Sequence, residues 1–185
     1  MIEAELKARV HTPEEVLRRL DERGEGVPEV YQDTYYDTPD GNLEARGAEL
    51  RIRTVHGPTD TRTVLTYKGA AVDEASGSKP EAETRVEDVE AAHSIVRGLG
   101  HVPTIAFEKR CRNYVFKARG RKMLATLVRV PEIDGTFLEV ETLVADDQVQ
   151  EALADVRAVL AELGIGEDDL TRELYTDAVR VRRQS

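Results

Sequence analysis

The opening residues constrain the fold most. Ile2, Ala4, Leu6, Ala8 and Val10 alternate with Glu3, Glu5, Lys7 and Arg9. Period two predicts a strand with one apolar face and one ionic face. The habit returns along the chain. Glu49, Arg51 and Arg53 alternate with Leu50 and Ile52, and Arg62, Thr66 and Lys68 lie opposite Leu65 and Tyr67. Glu81, Glu83, Arg85 and Glu87 form another polar face, and Glu139 and Glu141 alternate with Leu138 and Val140. Such a chain must expose a charged sheet face to water or wrap it around something charged.

Turn and cap signals place these strands. Beyond Ile2–Val10, strands are expected at Val30–Tyr36, Ala48–Val55, Thr61–Lys68, Glu81–Glu87, Ile105–Lys117, Lys122–Val130 and Phe137–Val144. Thr38–Gly41, Gly57–Asp60 and Ala118–Gly120 read as turns, and Ala70–Ser78 as a small polar loop. Thr12, Pro13 and Glu15 spell a capping box for a helix running to about Arg23 and stopping at Gly24. Asp88 caps a helix ending at Gly98 or Gly100, and Asp146 caps one through Leu163. A short helix near Leu174–Val181 precedes a basic tail. About eight strands and about four helices, joined largely by hairpins, predict an α+β fold with a mostly antiparallel sheet. No linker or repeat divides residues 1–185, so one domain is expected.

Two placements of the sheet remain open from pattern alone. One is an antiparallel sheet with a solvated charged face, its apolar face packed on helices. The other is a closed barrel with the charges inside, wide enough at about eight strands for one small ligand. Buried charges need partners. In the barrel, the Glu3/Glu5 and Glu139/Glu141 pairs would converge and need divalent cations between them; carboxylate oxygens suit Mg²⁺ or Mn²⁺. The guanidinium forks of Arg51 and Arg53 suit phosphate oxygens, with Lys68 and Lys109 as added point charges.

Composition narrows the partners. Twenty-six Lys and Arg against 36 Asp and Glu give a net charge of −10, unlike the basic footprint of a nucleic-acid binder or a protein adhering to anionic membranes. The single cysteine, Cys111, rules out an internal disulfide and a Cys-based zinc site. With no run of about 20 apolar residues and no signal-peptide pattern at Met1–Glu5, a cytoplasmic setting is expected.

In order along the chain, Glu3-Ala4-Glu5-Leu6-Lys7, Asp33–Thr38, Leu50-Arg51-Ile52-Arg53, Leu65–Gly69, Phe137–Glu141, and Leu170-Thr171 with Tyr175 resemble the signature segments of the CYTH superfamily, the triphosphate tunnel enzymes. That superfamily includes class IV adenylyl cyclases, thiamine triphosphatases and inorganic triphosphatases. The resemblance implies an eight-stranded antiparallel closed barrel, or tunnel, with helices packed outside. It implies metal held by Glu3, Glu5, Glu139 and Glu141, and phosphates held by Arg51, Arg53 and Lys68, with Lys109 and Arg85 as further contacts. Lys7 and Glu5 become the catalytic candidates, Lys7 as a phosphate contact or proton-transfer aid. The expected partner is a small-molecule triphosphate or related phosphorylated substrate, and a homodimer is compatible with this.

Two positions depart from the family pattern. Cys111 stands beside Lys109 where a basic residue is usual, with Arg110 and Arg112 on the opposite face unless a bulge intervenes. Met123–Val130 has no acidic residue where the family often has an Asp; it carries Arg129, and Asp134 follows in the next loop. A hydrolase of inorganic, thiamine or nucleoside triphosphate is the leading reading, because no dedicated adenine pocket is evident. The alternatives are a class IV-type cyclase, a tunnel processing another phosphoester or diphosphate, and a module that binds without turnover. His11, His56, His93 and His101 show no metal spacing, and no Walker-type phosphate loop occurs. Cys111 reads as a structural thiol, Arg180, Arg182 and Arg183 as a solvated helix end, and Tyr31, Tyr35 and Tyr36 as packing residues of which one could face the tunnel.

Overall fold

A computed structural model describes residues 1–74 and 76–185; Ala75, inside the loop expected at Ala70–Ser78, lies outside the described residues. Eight strands form: β1 (Ile2–Val10), β2 (Val27–Asp37), β3 (Glu49–His56), β4 (Thr61–Lys68), β5 (Lys79–Val86), β6 (Val102–Ala118), β7 (Arg121–Arg129) and β8 (Thr136–Val144). They close into a barrel in the order β1-β5-β4-β3-β2-β6-β7-β8, and every ladder is antiparallel. The β6–β7 hairpin turns through Arg119 (φ 51°) and Gly120 (φ 75°), the paired positive φ that matches strand twist in a two-residue turn.

The helices are α1 (Pro13–Asp21), α2 (Asn42–Ala45), α3 (Val89–Gly98), α4 (Val149–Glu162) and α5 (Tyr175–Gln184). Val16 and Leu20 of α1 and Val156, Val159 and Leu160 of α4 pack on Ala4, Leu6, Leu138 and Val140 of β1 and β8. Ala92 and Val96 of α3 cover Ile52 of β3. The apolar strand faces thus point outward to the helices, and the charged faces line the interior. A solvated charged sheet is not what forms: Glu3, Arg51 and Lys109 are 7%, 8% and 5% exposed. α5 differs from the other helices, because its Tyr175 packs with Phe137 and Val128 inside the barrel.

Three local expectations need correction. Thr12 makes no side-chain cap, and its backbone carbonyl instead accepts from the Glu15 and Val16 N–H groups. The helix it opens ends at Asp21. Asp146 does not cap α4 either; a single 3₁₀ turn over Asp146–Gln148 leads in, and Gln148 takes the cap position. Asp88 does cap α3, accepting from Ala91 N–H at 2.9 Å. The short helix α2 follows the turn at Thr38–Gly41. Asp37 organises it, its carboxylate accepting from the Leu43 and Glu44 N–H groups at 2.8 and 2.9 Å.

Candidate active site

Strand register builds the site. On the β1–β8 ladder Glu5 stands opposite Glu141, and Lys7 opposite Glu139. On β2–β3 Asp33 stands opposite Arg53, and Tyr35 opposite Arg51. Register partners share a face, so these side chains enter one interior. All but Asp33 line a cavity of about 420 Å³, together with Lys68 of β4, Glu81 of β5, Lys109 of β6 and Tyr175 of α5.

The acidic side has a defined centre. One carboxylate oxygen from each of Glu3, Glu5 and Glu141 lies within 4.8 Å of the other two. Burial, and then repulsion from Glu139 and Glu3, raise the Glu5 carboxyl to about 8. Burial, Glu3 and Glu5 hold Glu141 well above the ordinary range. Three carboxylates this close repel one another when charged, and Lys68 offsets some of that by ion-pairing with Glu3, with Glu81 at 3.2 Å. The donors are all hard carboxylate oxygens, so the residues fit Mg²⁺ or Mn²⁺.

Glu139 is not one of these three, although its charge bears on Glu5. Burial opposes its charge, yet Lys109 and Lys7 keep its carboxyl below the ordinary range. The Nζ atoms of Lys7 and Lys109 lie 4.4 and 4.3 Å from the Tyr175 ring centroid. Phe137 packs edge-on against that ring at 5.3 Å. The Tyr175 hydroxyl is buried beside the Glu139 carboxylate, and burial and that carboxylate hold its pKa well above the ordinary range.

The two arginines are not equivalent. Arg53 donates Nε and Nη2 to the Asp33 carboxylate at 2.6 and 2.7 Å and stacks over Tyr31 at 4.3 Å. That fork holds the Asp33 carboxyl well below its ordinary range, against the effect of burial. Arg51 meets Thr66 Oγ1 at 3.4 Å and the Tyr35 side chain, and its buried Nε is unpartnered. Arg51 thus keeps donor capacity for a ligand, while Arg53 is largely committed to Asp33.

The cavity therefore brings together Glu3, Glu5, Lys7, Arg51, Arg53, Lys68, Lys109, Glu139 and Glu141. It does not include Arg85, whose exposed side chain lies near Asp60 at 3.8 Å. β1 pairs with β5 only at Pro80 and Lys79, so Arg85 lies beyond the covered part of β5. Both Tyr31 and Tyr35 line the cavity, while Tyr36 turns outward to His93. Cys111 faces the interior, and burial pushes its thiol to about 12. No bulge turns Arg110 or Arg112 inward, since the β2–β6 register shifts only at Tyr35/Tyr36. On β7 the lining residues are Leu124 and Thr126, and Asp134 is exposed in its loop.

The CYTH domain profile matches residues 1–175. The chain belongs to the CYTH family. A Methanocaldococcus jannaschii protein, named as a candidate adenylate cyclase, is 28% identical over 182 residues, covering 96% of this chain and 98% of that one. A solved protein structure from Pyrococcus horikoshii is 27% identical, covers 98% of this chain and 99% of its own, and superposes with a TM-score of 0.81. A Hippeastrum protein, described as a candidate adenylyl cyclase with dominant triphosphatase activity, shares the fold at 18% identity, a TM-score of 0.62, and coverage of 97% and 95%. The acidic cluster of this CYTH barrel accords with the metal dependence general in the family. Among the described residues no helix is long and apolar enough to cross a membrane.

Sequence reasoning missed the site roles of Asp33, Glu81 and Tyr175. Asp33 was visible only as part of a family segment, because its pairing depends on the β2–β3 register. Glu81 was visible as a polar strand face. Tyr175 had no periodic signal, because a helix outside the sheet carries it into the cavity.

Proposed function

We propose that this protein is a divalent-metal-dependent phosphohydrolase acting on a small-molecule triphosphate bound in the barrel. The observation that carries this reading is the division of one barrel cavity into an acidic centre and a basic wall. Glu3, Glu5 and Glu141 supply the first, and Arg51, Lys7 and Lys109 the second. Arg51 binds phosphate oxygens through its unpaired donors, and Lys7 and Lys109 turn from the Tyr175 ring toward the same ligand. Arg53 and Lys68 add positive potential while tied to Asp33 and Glu3. Mg²⁺ or Mn²⁺ held by Glu3, Glu5 and Glu141 supplies neutralisation of charge on the phosphate oxygens.

Proton handling falls to Lys7. Burial lowers its pKa, so its Nζ gives up a proton to a leaving phosphate oxygen more readily than an exposed lysine would. Glu139 stands opposite Lys7 and balances its charge. The name of the Methanocaldococcus relative favours a second reading, in which a nucleoside triphosphate is cyclised with release of pyrophosphate. The acid-free interior face of β7 motivates a third, binding without turnover.

Incubating the protein with inorganic, thiamine and nucleoside triphosphates, with Mg²⁺ or Mn²⁺, separates the three. Orthophosphate release is expected. Cyclic AMP with pyrophosphate would replace hydrolysis with cyclisation, and tight binding without any product would make the barrel a binding module.

A further inference from the structure

A chain of polar contacts runs from the barrel surface to the basic wall. Arg62 of β4, partly exposed, ion-pairs with Glu29 of β2 at 2.7 Å. The second Glu29 carboxylate oxygen accepts from Asn113 Nδ2 of β6 at 2.6 Å. The same Nδ2 donates to the Tyr31 hydroxyl, also at 2.6 Å. The Arg53 guanidinium carbon lies 4.3 Å from the centre of the Tyr31 ring. Glu29 and Asn113 are only 8% and 9% exposed.

The Asn113 amide has one possible orientation. A carboxylate only accepts, so Nδ2 must face Glu29. That leaves Oδ1 buried without a hydrogen-bond partner among the described residues. An unsatisfied buried acceptor is destabilising, and an apolar side chain of similar size would avoid that cost. Packing alone therefore does not account for an amide at this position; its two donations do.

Those donations fix Tyr31 at its hydroxyl, and the Tyr31 ring is the face on which Arg53 rests. Arg53 gives Nε and Nη2 to Asp33 and lines the charged cavity. The Asp33 carboxylate sets one edge of the guanidinium, and the ring sets its plane. Tyr31 lines the same cavity, whereas Asn113 does not, so Asn113 reaches a ligand only through its neighbours.

We infer that Asn113 is a positioning residue for the basic wall. Acting through Tyr31, it holds the Arg53 guanidinium in the plane that presents Nη1 to phosphate, and Arg62 and Glu29 anchor it from the surface. The inference rests on the triphosphate reading above and adds to it a residue that touches no ligand.

The test is a double-mutant cycle in binding. The probe is inorganic diimidotriphosphate, which resists hydrolysis, titrated with Mg²⁺ by calorimetry. Asn113→Leu and Tyr31→Phe each remove the hydrogen bond between the two side chains, and the second keeps the ring. Each should weaken binding about fivefold, the scale of one hydrogen bond. In an Arg53→Lys background, which keeps the charge but loses the planar fork, neither should weaken it further. Equal losses in both backgrounds, or no loss from either variant, would overturn the inference. Should Asn113→Leu fail to fold, Tyr31→Phe carries the same comparison. The NMR signal of Arg53 Nε–H, assigned by its loss in Arg53→Lys, gives a readout without ligand. It should exchange with solvent faster in both variants than in the wild type, and unchanged exchange would also overturn the inference. If the wild type binds no diimidotriphosphate, the triphosphate reading falls, and the Nε–H exchange alone decides whether Asn113 positions Arg53.

Discussion

Glu5 and Glu141 face each other as register partners across the β1–β8 ladder, and Glu3 completes a three-carboxylate cluster with them. Antiparallel partners directly opposite repel when both are negative. Where its members are all ionised, the cluster opposes the barrel's own stability.

This gives a pH-dependent response to metal. The Glu5 carboxyl is raised from an ordinary 4.5 to about 8. A carboxyl with a raised folded-state pKa binds its proton more tightly in the folded protein, so folding is favoured at low pH. That contribution is lost as pH rises from about 4.5 to about 8. The metal-free protein should therefore lose thermal stability over this window. Mg²⁺ or Mn²⁺ should raise the Tm more at pH 8 than at pH 5, because metal competes with protons for the same oxygens. Differential scanning fluorimetry checks this, and an equal metal shift at both pH values would contradict it.

Arg51 and Arg53 should separate into two phenotypes. Arg51→Ala removes free donors and should weaken triphosphate binding by roughly 10- to 100-fold, the scale of hydrogen bonds to a charged group. Arg53→Ala leaves Asp33 buried and unpaired, so its main effect should be a loss of about 3–5 kcal/mol of stability. Urea denaturation and ligand titration of both variants check the contrast. Equal binding losses with unchanged stability would refute it. The Asp33 carboxyl, held low by Arg53, contributes stability above the ordinary aspartate range. That contribution is lost as the solution is acidified below the range.

These contrasts also show what the sequence made legible. The alternation at Ile2–Val10 and the Glu-x-Glu and Arg-x-Arg pairs are local patterns; they set which residues share a face, and the family resemblance implied that those faces are interior. Which members act together depends on register. Glu139 and Glu141 look equivalent in sequence, yet one opposes Lys7 and the other Glu5. Arg51 and Arg53 look equivalent too, and only Arg53 meets Asp33. Arg85 continues the alternation of β5 past the point where β1 covers that strand. Such distinctions come from long-range pairing, which no window of sequence contains.

Tyr175 should matter through its ring before its hydroxyl. Tyr175→Phe keeps the surface that contacts Lys7, Lys109 and Phe137, and should leave stability nearly unchanged. Tyr175→Ala should cost about 3–5 kcal/mol, the range for emptying an aromatic site. Equal destabilisation in both variants, measured by denaturant unfolding, would show that the hydroxyl carries the structural role instead.

The most direct test compares the two late glutamates by following orthophosphate release from a triphosphate with Mg²⁺ or Mn²⁺. Glu141→Gln removes a member of the acidic cluster and should reduce metal-dependent turnover by about 100-fold or more, at or beyond the upper end for disturbing a metal site. It should also abolish the metal-induced rise in Tm. Glu139→Gln should retain that rise, because Glu139 lies outside the cluster. The account predicts this split; a Glu141→Gln protein with wild-type turnover and an intact metal-induced Tm rise would contradict it.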